Sequence, residues 1–401
     1  MNILLVAHKP PYPPVDGGTL ATLNMALGLA KAGNKVTVLA MATPKHPSDE
    51  SRIPIDYRAL VNFRHHHVDI RTNSFQGILN LLFSSKPYNI ERFKDSGFRD
   101  ALRELLLATP FDIIQLEGLY LYPYIEIIRE NSKAYVAFRA HNVENIIWAR
   151  LAKDGRNILR AWYFRNLAKR MQKIEEEIMS RVDALVPITP NDSDWFHRHG
   201  CGKPSITVPA TYFPQPELKQ GGQAPANAIC FLGALDWMPN TEGLDWFLAR
   251  VLPILRTRIE SLSVHIAGRN APARLVKRLL HTDNVIYHGE VGNAVSYLSG
   301  YRIMIAPIIS GSGIRVKVVE GMFLGKAIAT TTIGCEGIAA VNGEHLLVAD
   351  SPESFADAIE KLVNSDELTS HISAKARTFA SENFDAIAQS IRLTEFYKAL
   401  T

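Results

Sequence analysis

The stretch Ile303-Met304-Ile305-Ala306-Pro307-Ile308-Ile309-Ser310-Gly311-Ser312-Gly313-Ile314-Arg315-Val316-Lys317-Val318-Val319-Glu320-Gly321-Met322 decides the fold. A short apolar run ends at a proline, small residues follow, and apolar residues then return at helical spacing. The segment therefore predicts a strand over 303–306, a tight loop, and a helix with Arg315 in or near its first turn. A buried strand leading into a helix is the repeating unit of a parallel sheet. The loop also has a chemistry. Gly311, Ser312 and Gly313 expose backbone N–H groups, the helix start adds about half a positive charge, and Arg315 and Lys317 add full ones, a combination suited to a diphosphate. Glu320, further along, can accept hydrogen bonds from sugar hydroxyls. Alternatively Lys317 and Glu320, three apart on one helix, pair with each other.

Working outward, the same alternation runs through the chain. Strands are predicted over 2–7, 35–40, 66–70, 112–116, 134–138, 184–188 and 205–208, with amphipathic helical segments such as 19–32 and 95–108 between them. From Pro209 to Asn227 the composition turns to Pro, Gly, Gln and Ala with no periodicity, the mark of a linker. The alternation resumes with strands over 228–232, 261–267, 284–287, 303–306, 327–330 and 346–348. The reading is α/β: a doubly wound domain over 1–210, a linker over 211–227, a second doubly wound domain over 228–380, and a terminal helix over 381–401 packing back on the first. Ligands of such sheets bind outside the carboxyl ends of the strands, and two facing domains imply an interdomain cleft.

The chain has 401 residues, 47% hydrophobic and 21% charged, which excludes disorder and fits two domains at roughly 100 to 200 residues each. Its three cysteines, Cys201, Cys230 and Cys335, share no short spacing and fit a reducing compartment. No apolar run approaches the roughly 18 residues of a membrane span; 78–83 is far too short. The start lacks a basic leader and reads as a first strand, so a cytoplasmic protein is expected.

The net charge of +4 is uneven, with 28 Lys/Arg against 22 Asp/Glu in 1–220 and 16 against 18 after. The excess is densest in 146–173, where Arg150, Lys153, Arg156, Arg160, Arg165, Lys169, Arg170 and Lys173 face the single acid Asp154, interleaved with Trp148, Trp162, Tyr163 and Phe164. Such a stretch suits an anionic membrane surface, or a solvated helix whose aromatics pack inward; no nucleic-acid motif accompanies it.

In the first half, strand 1 ends at His8 and leads to Asp16-Gly17-Gly18-Thr19, where paired glycines permit a ligand to approach backbone at a helix start. This is not G-x-G-x-x-G, which weakens a dehydrogenase reading. The fifth strand ends at Arg139-Ala140-His141-Asn142-Val143-Glu144, and Glu117 closes the strand before it, so His141, Asn142 and Glu117 are candidates for contact with a sugar or an acceptor. His141 and Glu144 are too few for a metal site, and the adjacent His65-His66-His67 point to alternate strand faces, so no metal is expected. No G-x-S-x-G nucleophile elbow is present.

Taken together, these residues resemble the GT-B-fold glycosyltransferases of glycosyltransferase family 4, retaining enzymes that use nucleotide-sugar donors. Gly17-Gly18 matches the family's glycine pair after the first strand, and Phe231-Leu232-Gly233 its opening of the second domain. Val264-His265-Ile266-Ala267-Gly268, His288-Gly289, the segment through Glu320, Gly325-Lys326 and Gly334-Cys335-Glu336-Gly337 resemble its donor half. The resemblance implies a donor site of Gly17, Gly18, Gly233, Gly311, Ser312, Gly313, Arg315, Lys317 and Glu320. It also implies catalytic roles for His141, Arg315 and Lys317, and an acceptor side with Glu117 and Asn142. No cofactor is implied beyond the nucleotide sugar as substrate.

Two departures stand out. The second glutamate of the family's E-x7-E pair falls on Glu320, but the first falls on Ser312. The Arg and Lys common after the second-domain glycine fall on Ala234 and about Asn240, so Arg315 and Lys317 are expected to supply that charge. The pattern resembles sugar transferases of bacterial surface-polysaccharide assembly, acting on a glycan or lipid-linked acceptor. The alternatives are a noncatalytic GT-B partner subunit and a nucleotide-sugar epimerase.

Overall fold

The computed structural model describes residues 1–70, 77, 79–81, 84, 86–154, 158–213, 225, 227–311 and 313–401. The chain divides into two compact units, Met1–Thr211 with Ala386–Thr401, and Tyr212–Asp385.

The first unit contains six parallel strands, β1 (Asn2–Ala7), β2 (Lys35–Ala42), β3 (Val61–His67), β4 (Ile113–Glu117), β5 (Tyr135–Ala140) and β6 (Ala184–Pro187), in the spatial order 3-2-1-4-5-6. Its principal helices are α1 (Gly17–Lys31), α2 (Ser96–Ala108), α3 (Glu144–Asp154) and α4 (Ile158–Arg181). Helices pack over the sheet, so central strands such as β1 and β4 are buried along almost their whole length; β1 reads as an apolar run, whereas β4 carries the buried polar residues Gln115 and Glu117.

The second unit repeats the plan with β7 (Ala228–Leu232), β8 (Ser263–Ala267), β9 (Val285–Gly289), β10 (Ile303–Ala306), β11 (Ala327–Thr330) and β12 (Leu347–Val348), ordered 12-11-10-7-8-9. Counted from its own first strand this is again 3-2-1-4-5-6, so each unit is a Rossmann-like doubly wound sheet. The helices that matter below are α5 (Met238–Trp246), α6 (Val316–Phe323) and α7 (Asp366–Phe384). After Asp385 the chain forms α8 (Ala386–Lys398), which belongs to the first unit and packs on α1. The contact is close: a Cβ on Gly28 would stand 2.3 Å from Ser390 Oγ and 2.7 Å from the Ala386 carbonyl.

Several expectations need correction. The division between units falls at Thr211/Tyr212, near the start of the Pro/Gly stretch and not across its whole length. Tyr212 is buried and its amide donates to Phe384 O at 2.8 Å, which ties it to the second unit. Residues 214–224 and 226 of the expected linker lie outside the described residues. The terminal segment leaves the second unit after Asp385 and not at 381, because Ala380 and Phe384 are buried in that unit's core. Strand β3 begins at Val61, not His66: Val61 and Phe63 face inward and Asn62 and Arg64 outward, an alternation that the polar residues disguise. Residues 205–208 form no regular strand: they run beside β6 with a bridge between Ser205 and Leu185 and hydrogen bonds from Ile206 N to Leu185 O and Val208 N to Pro187 O, and Pro204 and Pro209 bracket them.

Candidate active site

In each doubly wound sheet the strand order reverses between two central strands, and ligands bind in the crevice beyond that point. In the second unit the reversal lies between β7 and β10, so the loops that begin at Gly233 and at Pro307 flank it.

The β10–α6 loop is shaped by its glycines. Gly311 (φ 94°) and Gly313 (φ 82°) both occupy the left-handed region, which a side chain resists. Ser312 lies outside the described residues. Arg315 is the N-cap residue of α6, one position ahead of the helix. The residue is 4% exposed, and its guanidinium donates to Ser310 O at 3.4 Å and lies 5.6 Å from the centre of the Trp237 ring.

Lys317 and Glu320 do not pair, although they are three apart on α6. The Lys317 ammonium donates to Asn240 Oδ1 at 2.7 Å and sits 4.2 Å from the centre of the Phe231 ring. Glu320 instead accepts from Tyr212 Oη at 3.2 Å. Burial, reinforced by the charge of Arg315, lowers Lys317 to about 7. Burial raises the carboxyl of Glu320, opposed by the Tyr212 hydrogen bond. Asn240, 3% exposed, also donates through Nδ2 to Ala234 O at 2.8 Å. The two positions that lack the expected cations are thus joined to each other, and one of them receives an ammonium from α6.

In the first unit the reversal lies between β1 and β4. The turn after β1 is not an open anion cradle. Asp16 caps α1, accepting from Thr19 N at 2.8 Å, and Lys9 Nζ lies 2.9 Å from its carboxylate. Burial opposes ionisation of Asp16, but Lys9 and the Thr19 amide outweigh it and hold the carboxyl at about 2. Gly17 and Gly18 therefore offer close approach, while the charge at the helix start is already met by a side chain.

His141 stands just past β5, and its Nε2 lies 2.6 Å from Glu117 Oε2. Glu117, expected on the acceptor side, is 1% exposed and turned into the protein, where Thr22, Gln115 and Arg139 also surround it. It stands behind His141 and does not face an acceptor. Asn142 is half-buried at the start of α3, its side chain bonded to Glu144.

Three residues escaped sequence reasoning. Arg139, fully buried, donates to Pro209 O at 3.2 Å and faces Glu117 at 3.6 Å. His8 bonds to Glu117 O at 3.0 Å, and burial drives its pKa down to about 3, so it is neutral. Glu175, fully buried in α4, accepts from the amide of Glu144 at 2.6 Å and from Asn145 Nδ2 at 2.6 Å, capping α3 from a neighbouring helix. Arg139 is a charged residue in an otherwise apolar strand, and Glu175 falls on the buried face of α4 with Met171, Ile174 and Ile178, a signal present in the sequence. The histidine run is held by separate partners, His65 by Ser48 at 2.8 Å and Glu50 at 3.3 Å, His66 by Asp95 at 3.7 Å.

Residues 226–365 match the family model described as Glycosyl transferases group 1. The chain carries a glycosyltransferase domain. Across nearly its full length it is 24% identical over 399 residues to an uncharacterised 44.6 kDa protein of the cps region of Klebsiella pneumoniae, covering 96% of this chain and 97% of that one. Among solved structures it is similar to sucrose-phosphate synthase from Thermosynechococcus elongatus, with 14% identity, coverage of 100% and 99%, and a TM-score of 0.71. It is also similar to Anabaena HepE in complex with UDP, with 10% identity, full coverage of both chains and a TM-score of 0.68. The pneumococcal O-GlcNAc transferase GtfA in complex with UDP and GlcNAc matches with 11% identity, coverage of 100% and 99%, and a TM-score of 0.65. At these identities the structures establish the fold, which is GT-B. The glycosyltransferase match falls on the unit that carries Gly233, Arg315, Lys317 and Glu320.

Proposed function

We propose that the chain is a retaining glycosyltransferase that moves a sugar from a nucleoside-diphosphate sugar to a hydroxyl of a glycan or lipid-linked acceptor in polysaccharide assembly. In this reading the second unit holds the donor and the first unit the acceptor. The observation that carries it is the grouping of Arg315, Lys317, Gly311 and Gly313 at the strand-order reversal of the glycosyltransferase domain. A departing diphosphate gathers negative charge as its bond to the sugar breaks, and preorganised N–H groups and cations at that position favour the transition state. Arg315 and Lys317 supply this charge from the protein itself. UDP is the first nucleotide to try, because the HepE and GtfA structures contain it. The cps-region relative supports a role in surface polysaccharide.

Retention follows from the family resemblance. The bond between the anomeric carbon and the phosphate oxygen breaks, the acceptor oxygen bonds to the same face, and the acceptor proton passes to the departing phosphate oxygen. The test begins with thermal shift against UDP, GDP, dTDP and ADP and their sugars, since a bound ligand raises apparent stability. The anomeric configuration of the product is then read by NMR. An inverted linkage overturns front-face transfer, isomerisation of donor alone favours an epimerase, and no response to any nucleotide favours a noncatalytic partner subunit.

The basic stretch of the first unit adds a membrane partner to this proposal. The start of α4 presents Ile158, Leu159 and Trp162 at 85%, 78% and 56% exposure, with Arg160 and Arg165 exposed beside them. Apolar side chains among cations suit an anionic bilayer surface, the place of a lipid-linked acceptor. Among the described residues no helix is long and apolar enough to cross a membrane.

A further inference from the structure

The groups behind His141 carry an inference about how that residue works, and its catalytic consequence rests on the glycosyl-transfer reading. Glu117 is buried, and the groups around it all present hydrogens: His141 Nε2 at 2.6 Å, Thr22 Oγ1 at 3.2 Å and Gln115 Nε2, with Arg139 Nε at 3.6 Å. Burial pushes the carboxyl up, but His141, Arg139 and Gln115 outweigh it and hold Glu117 below the usual range. An ionised carboxylate only accepts, so the hydrogen between Glu117 and His141 belongs to Nε2, and a neutral imidazole is left with Nδ1 as its acceptor. That nitrogen lies beside the turn after β1: a Cβ on Gly18 would be 4.0 Å from it.

The chain of contacts continues into the C-terminal helix. Tyr397, fully buried on α8, donates its hydroxyl to Gln115 Oε1. With its oxygen engaged there, the Gln115 amide presents its NH2 group to Glu117. The phenol fixes the amide, the amide fixes the carboxylate, and the carboxylate fixes the imidazole.

We propose that Tyr397, Gln115 and Glu117 are positioning residues that hold His141 as its Nε2–H tautomer, so that Nδ1 accepts a hydrogen bond from a sugar hydroxyl beside Gly18. The relay requires α8 to complete a site formed at the ends of β1, β4 and β5.

Long-range 1H–15N correlation of histidine-labelled full-length protein at about pH 8, with His141 assigned by loss of its signal in His141→Asn, reads the tautomer without turnover. A single Nε2–H form is expected; an Nδ1–H form or a mixture overturns the proposal. Tyr397→Phe removes one oxygen and should give mixed tautomers and a kcat lowered up to about 100-fold, with donor KM little changed. A Tyr397→Phe protein that keeps the single tautomer removes α8 from the relay. In Glu117→Gln, an amide that can turn either end to the ring, both tautomers are expected; retention of one form overturns the role of the carboxylate. UDP binding to each variant reports the second unit separately, so failure of the nucleotide reading and failure of the relay give different results.

Discussion

Lys317 donates to Asn240 Oδ1 at 2.7 Å, so the ammonium of one helix rests at a position where the resembling family carries a lysine of its own. Burial and Arg315 bring this ammonium to about 7, which gives nucleotide binding a pH dependence. A bound diphosphate favours the charged form and raises the bound-state pKa, so binding takes up a proton when the pH lies above about 7. Affinity is therefore steady below about pH 7 and weakens as pH rises, by at most about tenfold per unit. Calorimetry with UDP in two buffers of different ionisation enthalpy measures the proton directly. Uptake at about pH 8 should vanish in Lys317→Arg, which stays charged. A dissociation constant that is flat between about pH 7 and pH 9 contradicts this account.

Arg315 is placed by its N-cap position, its bond to Ser310 O and its approach to the Trp237 ring. Arg315→Ala should lower kcat/KM by the equivalent of about 2 to 4 kcal/mol, the scale of one lost donor to a developing anion. Arg315→Lys should recover only part, because an ammonium reproduces neither the planar contact with Trp237 nor a forked hydrogen bond. Near wild-type kcat/KM in the alanine variant, with unchanged melting temperature, removes Arg315 from the mechanism.

For Glu320 the geometry separates two roles that the sequence left open. Its partner is Tyr212, not Lys317, so neutralising it breaks no ion pair within α6. Glu320→Gln should weaken UDP binding by about tenfold, the loss of a charge-assisted hydrogen bond to a ribose hydroxyl, with little change in melting temperature. Unchanged UDP affinity by calorimetry would falsify the ribose contact.

The fold was legible because both sheets are parallel and covered: strands such as 2–7, 228–232, 303–306 and 327–330 stand out as apolar runs bounded by turns, and the observed elements coincide with them. Legibility failed where a strand lies at an edge and mixes polar with apolar residues, as in β3, and where prolines bracket a short run, as Pro204 and Pro209 do at 205–208. The site was legible in its residue types but not in its pairings. Spacing on α6 suggested Lys317 with Glu320, whereas the partners come from α5 and from Tyr212, far away in sequence. Glu117 reads in sequence as an acceptor contact because the predicted strand ends just before it; only packing against Gln115, Arg139 and His141 turns it inward. The same blindness hid Glu175, whose use is to cap a helix that begins 31 residues before it.

That capping carboxyl should govern part of the pH dependence of stability. Burial raises Glu175 to about 8, against the amides of Glu144 and Asn145 that favour its charged form. The folded-state pKa lies above the unfolded value, so the folded protein holds more protons between about pH 4.5 and pH 8. Stability from this group is fully present below the lower value and is lost as pH rises through the upper one. Glu175→Gln, with the Asn145 amide turned to accept, should flatten urea-unfolding free energy over that interval. An identical pH slope in wild type and variant is the opposing result.

The exposed start of α4 gives the last expectation. Trp148 and Tyr163 pack against the core of the first unit, and Phe164 lies against Trp148 at 5.6 Å, so these aromatics of the basic stretch serve the fold. Ile158, Leu159 and Trp162 do not; each is more than half exposed. Burying such side chains in a bilayer contributes on the order of 1.5 to 3 kcal/mol for each one fully transferred. Each nearby Lys or Arg adds about 1 kcal/mol at an anionic surface. The full chain should float with vesicles containing phosphatidylglycerol and not with neutral ones, and the binding should weaken as salt rises because the Debye length shrinks. Replacing Ile158, Leu159 and Trp162 together by Ser should release the protein from anionic vesicles while leaving UDP affinity unchanged. Flotation that is equal for the triple variant and wild type assigns the attraction to charge alone, and absence of flotation at low salt ends the membrane proposal.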